Sequence, residues 1–496
     1  MRAAGITERP PPLGSLAARG RAGVFKVGLA QAPKPRHSPW TIRPMFIQCS
    51  NLIATNPPRM HYGMAVGDVD GDGRDEIVIT GFDGPNRVLK WDGSGLVDLD
   101  IPALADPTAR AVGVALGDFD GDGREDVYIL NTDTYGGAKG VGDRLFTGFG
   151  ARWIDLFTQA ENWGAANRHS GRSVAVIDRE GTGRYGFVVA GFGGPLKLYE
   201  MGPRGRIRDV AEEVGLDAVV SARSLLTAPL LGDRPDIVVG CELGPNLLFR
   251  NTGDGEFEEL GHERGIADPG GNTRGIALLE GDGGLADLVV ATWNGANRLF
   301  QQRPGGGFAD VAPPELAAPG KVRTVIVADF DNDGYEEIFL NLEGEANRLF
   351  AWREDRWVQI DIGDAAEPGG LGTAAIVADL DGDGQLELLI AHGETAPQPL
   401  SLHIAEPRGN HWLRVRPLTR AGAPARGAVV RLTAGGRTQH RAIDGGSGYL
   451  CQMEPVAHFG LGDLTAVERV EVRWPDGTSL TLPTPATCQT LVVPHP

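Results

Sequence analysis

Short apolar, β-branched runs punctuate the chain, each bounded by Gly, Pro, Asp or Asn, and no stretch repeats its apolar positions at a helical period. Ile77-Val-Ile-Thr80 and Val127-Tyr-Ile-Leu130 are examples. Such runs predict strands joined by turns. After several of them comes a second recurring phrase: Asn86-Arg-Val-Leu, Asp143-Arg-Leu-Phe, Asn246-Leu-Leu-Phe, Asn297-Arg-Leu-Phe and Asn347-Arg-Leu-Phe. A further short strand often follows, as in Gly307-Phe-Ala-Asp-Val and Arg356-Trp-Val-Gln-Ile. The pattern predicts about four strands per unit of roughly 50 residues, the content of a propeller blade.

Between the first two predicted strands of four units lies the same acidic loop. The copies open at Asp68, Asp118, Asp329 and Asp379, and read Asp68-Val-Asp70-Gly-Asp72-Gly-Arg74-Asp-Glu76, Asp118-Phe-Asp120-Gly-Asp122-Gly-Arg124-Glu-Asp126, Asp329-Phe-Asp331-Asn-Asp333-Gly-Tyr335-Glu-Glu337 and Asp379-Leu-Asp381-Gly-Asp383-Gly-Gln385-Leu-Glu387. Three carboxylates at alternate positions, a glycine that permits a sharp turn and a closing carboxylate make an oxygen cage for a hard divalent cation, best matched by calcium. Arg74, Arg124, Tyr335 and Gln385 complete the four expected ligand sets. Without a cation such a loop repels itself, since two unit charges about 4 Å apart cost roughly 4 kcal/mol at an effective dielectric near 20. Acidic surface turns are the plainer explanation of any one copy, but four copies of one pattern disfavour it. An EF-hand loop has about twelve residues between helices, whereas these loops run into strands.

The spacing counts the units. Neighbouring copies lie 50 residues apart, and the 211-residue gap from Asp118 to Asp329 leaves room for three more. Ser173-Val-Ala-Val-Ile-Asp178-Arg-Glu180-Gly-Thr-Gly is a decayed third copy, Leu230-Leu-Gly-Asp233-Arg-Pro-Asp236 a shortened fourth, and Leu279-Glu280-Gly-Asp282-Gly-Gly-Leu-Ala-Asp287 a fifth lacking one residue. The expectation is an all-β chain: a seven-bladed β-propeller over residues 44–407, with calcium loops between the first two strands of its blades, then a small β domain over 408–496. Phe46-Ile-Gln-Cys is expected to pair beside Leu400-Ser-Leu-His-Ile404 and close the ring.

Runs such as Val-Gly-Asp68-Val-Asp-Gly-Asp-Gly resemble FG-GAP/VCBS repeats, the calcium-loop blades also found in integrin α-subunit propellers. The tail, with Asn410-His-Trp-Leu-Arg-Val, Asp444-Gly-Gly-Ser-Gly-Tyr449-Leu, His458-Phe-Gly-Leu-Gly462 and Val470-Glu-Val-Arg-Trp474-Pro-Asp-Gly477, resembles the ASPIC/UnbV domain. Propeller plus that tail is the layout of the cartilage acidic protein family, whose bacterial members include UnbV proteins encoded near enediyne biosynthetic genes. The resemblance implies about four calcium sites and an exported protein, extracellular or periplasmic. It implies little about activity, because a fold does not fix a function.

Charge narrows the partners. The net charge is −18, yet residues 1–43 carry eight Arg or Lys against the single acid Glu8. The rest of the chain is therefore strongly acidic, which argues against nucleic acid. The first 43 residues, rich in Pro, Arg and Gly, read as disordered. Arg19, Arg21 and Lys26 interrupt every candidate signal-peptide core there, and a start at Met45 offers none either. That leaves a cytoplasmic location open beside the exported one. No apolar run reaches the roughly 18 residues needed to span a bilayer, and a monomer is expected. Cys451 and Cys488 share the C-terminal domain and are candidates to pair, with four unpaired thiols the equal alternative. The segment 408–496 holds ten Arg or Lys against six acids, a basic surface suited to docking on the acidic propeller. Its Asp444-Gly-Gly-Ser-Gly-Tyr449 run reads as a hairpin turn, with partner binding as the alternative.

No Gly-x-Ser-x-Gly, His-Glu-x-x-His, Cys-x-x-Cys or phosphate-cradling motif supports catalysis. One recurrence remains. Arg172, Arg223, Arg274 and Arg323 open the first strand of four consecutive units, which would gather them at the channel mouth opposite the calcium loops. Asp83, Glu242, Trp293, Glu343 and Glu394 lie on turns reaching the same face, with His169 and His392 nearby. Each arginine could be neutralised by a carboxylate and lock two blades, or the group could bind an anion with a planar fork, with acid/base chemistry alongside. Two functions follow. One is a calcium-binding interaction or adhesion module engaging a protein or glycan. The other is a biosynthetic enzyme or accessory protein handling an anionic or polyketide-like small molecule at the arginine-lined mouth.

Overall fold

Seven four-stranded antiparallel sheets follow one another in a computed structural model that describes residues 44–149 and 152–496. The first 43 residues, expected to be disordered, lie outside the described residues. The innermost strands are His61–Gly67, Ala111–Gly117, Gly171–Ile177, Val219–Ala228, Thr273–Glu280, Val322–Ala328 and Gly372–Ala378. Each packs against the next, and Gly372–Ala378 returns to His61–Gly67, so the sheets close a propeller ring. Ala65, Ala115 and Ala175, all fully buried, show why these strands favour small side chains where seven backbones converge on one axis. The sheets are numbered here one to seven in that order.

Sheet seven is built from both ends of the ring. Its outer strand is Phe46–Gln48, paired antiparallel with Ser401–Ala405 in the register Phe46 to Ala405 and Gln48 to His403. Phe46 is completely buried and meets the Phe330 ring edge-on at 4.9 Å, which ties the N-terminal strand to sheet six as well. Sheets three and four are fused. Strands Gly186–Pro195 and Val219–Ala228 extend past their neighbours and pair with each other, Pro195 opposite Val219.

The recurring Asn-Arg-Leu-Phe phrase is a structural staple. In sheets one, five and six the Asn Oδ1 accepts the N–H five residues earlier, from Gly81, Thr292 and Leu342, at 2.9, 2.9 and 2.8 Å. The same amide donates through Nδ2 to a carbonyl in the connection to the next sheet: Leu104, Leu316 and Ala365, at 2.9, 3.0 and 2.9 Å. One side chain thus satisfies three elements, and the following Leu and Phe fill the interior between sheets. A buried Leu or Phe contributes about 1.5–3 kcal/mol.

Residues beyond 408 form two further sheets around one core. His411–Pro417 sits between Ala457–Gly462 and Thr490–Val493, while Val429–Ala434 sits between Arg437–Ala442 and Arg469–Arg473, the last pairing with Ser479–Pro483. Leu413, Val430, Phe459 and Val472 are fully buried at the centre.

The segment after Ala442 departs from the expected hairpin turn. It runs into the channel and bonds to the ring's inner strands. Gly445 N donates to Thr227 O at 3.0 Å and its carbonyl accepts from Val176 N at 2.8 Å. Gly448 N donates to Ile276 O at 2.6 Å, Tyr449 N to Thr324 Oγ1 at 2.8 Å, and Leu450 O accepts from Met64 N at 3.2 Å. Cys451 and Gln452 then pair in parallel with Met64 and Ala65, and the Gln452 amide exchanges two hydrogen bonds with Leu116 at 2.8 and 3.0 Å. Glycine is required in so narrow a space: a Cβ on Gly445 would lie 2.1 Å from Val176 O. The placement also settles the cysteines. Cys451 is buried in the channel, Cys488 is exposed, and both are free thiols, as are Cys49 and Cys241. Channel insertion carries Cys451 away from the surface where Cys488 lies.

Candidate functional site

The four acidic loops share one wiring scheme. The opening Asp bends back over its own loop: Asp68 accepts from Gly71 N at 2.7 Å and Gly73 N at 2.8 Å, and Asp379 from Gly382 N at 2.8 Å and Gly384 N at 3.1 Å. The closing carboxylate reaches back across the loop. Glu76 accepts from Val69 N at 2.8 Å, Asp126 from Phe119 N at 2.8 Å, Glu337 from Phe330 N at 3.0 Å and Glu387 from Leu380 N at 2.7 Å. Asn332 occupies the position that is glycine in the other three loops; its φ of 57° is the left-handed conformation that Asn tolerates best after Gly. The decayed copy keeps half the scheme, for Asp178 still accepts from Thr182 N and Gly183 N, each at 2.8 Å.

In each loop three carboxylate oxygens come within 4.8 Å of one another: Asp68, Asp70 and Glu76; Asp118, Asp120 and Asp122; Asp329, Asp331 and Asp333; Asp379, Asp381 and Glu387. Asp72, Asp126, Glu337 and Asp383 stand outside these triplets. The seventh-position residues Arg74, Arg124, Tyr335 and Gln385 give their backbone N–H to Asp72, Asp122, Asp333 and Asp383 at 3.0, 3.0, 2.9 and 2.7 Å. Burial pushes Asp126 up to about 8, Glu76 to about 7 and Asp118 to about 6, with neighbouring carboxylates adding to the rise. Asp329 Oδ1 is buried without a hydrogen-bond partner. All-oxygen donors, crowded charge and an orphaned buried oxygen fit a hard divalent cation such as calcium.

Two cages also contain a basic side chain that the sequence reading missed. Lys90 Nζ contacts Asp70 and lies 2.8 Å from Asp72 Oδ2 and 3.1 Å from Glu76 Oε1. Arg353 reaches Asp331 at 3.1 Å, Asp333 at 2.9 Å and Glu337 at 3.4 Å. Burial alone would lower the Arg353 pKa, and the surrounding carboxylates instead raise it. The second cage has Thr147 in the place of Lys90, its hydroxyl 2.8 Å from Asp120 Oδ2. In the fourth, Arg414 of the C-terminal segment contacts Asp379 at 3.0 Å.

That segment packs against the loop face. Arg426, 1% exposed, places Nε 3.1 Å from Glu125 Oε1 and donates to Val66 O and Met453 O at 2.9 and 3.0 Å. Arg416 pairs with Asp75, and Arg441 bridges Glu280 at 2.8 Å and Glu336 at 3.0 Å. Tyr335 stacks under Arg437 at 4.0 Å, so its ring serves this interface. Gly460 N donates to Asp329 Oδ2 at 3.1 Å, and a Cβ on Gly384 would lie 1.8 Å from the Trp412 ring.

At the opposite mouth the four arginines do gather. Arg223 binds Glu242 at 2.5 Å and the Tyr135 hydroxyl at 2.7 Å, and Arg274 binds the other Glu242 oxygen at 3.0 Å. Arg323 binds Glu343 at 2.9 Å and Glu394 at 2.6 Å. Arg172 donates instead to the Tyr135 and Thr134 carbonyls. Trp293 lies under Arg323 at 4.3 Å and Arg274 at 5.5 Å. His392 points elsewhere: its Nε2 is 3.1 Å from Ser401 Oγ and 3.4 Å from Glu367, inside sheet seven, because strand pairing turns the ring toward the third strand. Asp83 accepts from Met60 N at 3.0 Å. His169 is exposed, its ring beside Gly194. Tyr135, Phe192 and Tyr449 join the cluster without a sequence signal; Tyr449 arrives from the channel segment, 6.0 Å from Arg323.

Residues 419–496 match the family described as ASPIC and UnbV, and residues 68–129 and 279–340 match the FG-GAP-like repeat. Cartilage acidic protein 1 of Homo sapiens is 43% identical over 479 residues, covering 88% of this chain and 72% of that protein. The Xenopus tropicalis protein is 43% identical over 484 residues, covering 88% and 74%. The chain belongs to the cartilage acidic protein 1 family. Among solved structures, BBS1N in complex with ARL6DN aligns over 74% of this chain and 98% of its own at 12% identity and a TM-score of 0.47. YCF48 bound to D1 peptide aligns over 76% and 98%, at 12% and 0.43. Membership of the cartilage acidic protein 1 family, with its FG-GAP repeats, marks the chain as an interaction module. Among the described residues no helix is long and apolar enough to cross a membrane.

Proposed function

We propose that the chain is a calcium-stabilised binding module with two domains, a ring over 44–407 and a C-terminal domain over 408–496 that holds the ring from one side. Calcium in the loops at Asp68, Asp118, Asp329 and Asp379 would neutralise carboxylates that otherwise repel, so metal binding and folding are coupled. The observation that carries the reading is the location of the C-terminal segment: it lies over the loop face and fills the channel, which leaves the arginine-lined mouth as the ring face for a protein, glycan or small anionic partner. Exposed Tyr135, Leu243 and Val219, at 59%, 61% and 71%, support that choice. The C-terminal domain braces the loops through Asp75, Asp329 and Asp379, so calcium acts first on stability.

The test is calorimetric melting of chelator-stripped full-length protein with and without calcium, with metal counted by elemental analysis. A rise of several degrees with two to four bound ions is expected, two if Lys90 and Arg353 keep their cages closed. No shift and no bound metal would refute the calcium reading.

A further inference from the structure

The mouth cluster carries four guanidinium groups, Arg172, Arg223, Arg274 and Arg323, against the three carboxylates Glu242, Glu343 and Glu394 that pair with them. The balance is one positive charge in excess. All four arginines are more than nine-tenths buried, and Nε of Arg172 and both Nε and Nη1 of Arg274 have no hydrogen-bond partner. A buried donor left unpaired is costly, and more so on a charged group. Burial lowers the pKa of both Arg172 and Arg274, and Arg223 between them lowers it further, whereas for Arg223 itself Tyr449 and the Glu242 carboxylate outweigh burial and raise it. The under-compensated groups therefore sit on sheets three and five, on either side of a compensated one.

We propose that this mouth binds a single carboxylate group, held by the free donors of Arg172 and Arg274 and flanked by the Tyr135 and Trp293 rings. Three features select that chemistry. Among the paired groups the deficit is one unit, which a monoanion closes, and the Lys321 ammonium 6.0 Å from the Trp293 ring adds positive charge at the rim. The donors belong to planar guanidinium forks, which match a planar two-oxygen acceptor. The walls are aromatic faces, with Tyr135 5.0 Å from Arg172 and Trp293 5.5 Å from Arg274, suited to an apolar group attached to the carboxylate. Tyr135 is exposed and Trp293 half-buried, while the free Arg172 and Arg274 nitrogens lie buried behind them, so a carboxylate must enter past these rings to reach them. The inference rests on the mouth being the binding face and not on calcium.

Two sources present such a group: a free small carboxylic acid, or the C-terminus of a polypeptide. The calcium-loaded full chain would be titrated by isothermal calorimetry, at matched ionic strength, with sodium acetate, N-acetyl-Gly-Phe carrying a free carboxylate, its C-terminal amide, and sodium chloride. Saturable binding of both carboxylates, absent for the amide and chloride, is expected. A roughly tenfold preference for the peptide over acetate favours the polypeptide source, and equal affinities favour the free acid. Arg172→Gln should weaken the carboxylates by roughly tenfold while leaving the calcium-induced melting shift intact. Tyr135→Leu, at an exposed position, provides the second reading if Arg172→Gln does not fold. Non-saturable heats equal to those of chloride up to about 50 mM, or an unchanged affinity in whichever variant folds, would overturn the site. Loss of calcium stabilisation with intact carboxylate binding would instead refute the calcium reading alone.

Discussion

The two ends of the channel use the same chemistry to different ends. At the loop end, Arg414, Arg416, Arg426, Arg437 and Arg441 come from the C-terminal segment and meet acids of the ring. At the other end Arg172, Arg223, Arg274 and Arg323 come from the ring itself, and the ring's own glutamates pair with three of them. Across a sealed interface an Arg–carboxylate pair is committed, because removing either member strands a buried charge. At the mouth the arginines are just as buried, but Arg172 donates only to carbonyls and Arg274 keeps unpartnered nitrogens. Completeness of pairing, more than residue type or burial, separates a lock from a binding group.

The sharpest way to break the comparison is Arg426→Met. Glu125 would be left buried without its partner, and chemical denaturation should show a loss of about 3–5 kcal/mol. Arg172→Met strands no carboxylate and should cost roughly 1 kcal/mol or less. Comparable losses would dissolve the distinction. Next come the cages. Lys90→Met and Arg353→Met should each lower stability without calcium yet enlarge the gain on adding it, by about 2–3 kcal/mol when calcium reaches a hundredfold over its dissociation constant. Calorimetry against calcium concentration reads this, and an unchanged gain would mean that the internal cations do not compete with metal.

His61, at the mouth end of sheet one, supplies the pH test. Burial lowers its pKa to about 4, against about 6.5 in an unfolded chain. The unfolded chain therefore binds the extra proton, so stability is intact above pH about 6.5 and falls as the pH drops toward 4, by up to about 1.4 kcal/mol per pH unit. His61→Gln should flatten that slope in denaturant titrations. The smallest effect is expected from Leu243→Ser on the exposed mouth face, within about 0.5 kcal/mol of wild type.

Local patterns carried much of the architecture in the sequence itself. The acidic loops, the strand runs after them and the pairing of Phe46–Gln48 with Ser401–Ala405 follow from spacing and alternation, because each depends on neighbours in the chain or on strand count. The channel segment was not legible: Gly445 and Gly448 read as turn residues, and their partners Thr227 and Ile276 lie far away in sequence. Lys90 escaped notice for a related reason. Its place across from Glu76 becomes visible only once Ile77 is known to pair with Leu89. Convergence of the four arginines could be inferred from first-strand position, but His392 could not be placed, since its direction depends on which face of its strand meets Ser401.

The route of the channel segment bears on how the protein is made. Sheet seven can zip shut once Ala405 has left the ribosome, since its outer strand, Phe46–Gln48, is made well before it. The strand that pairs beside Met64 in the first sheet, Cys451–Gln452, emerges almost four hundred residues later. Throughout elongation the first-made sheet therefore waits with an inner edge uncovered, an aggregation-exposed state of the sort that burdens large β proteins. Residues up to Gln452 must be made before the axis is filled, so a product that stops between Ala405 and Cys451 would be a ring with a hollow centre.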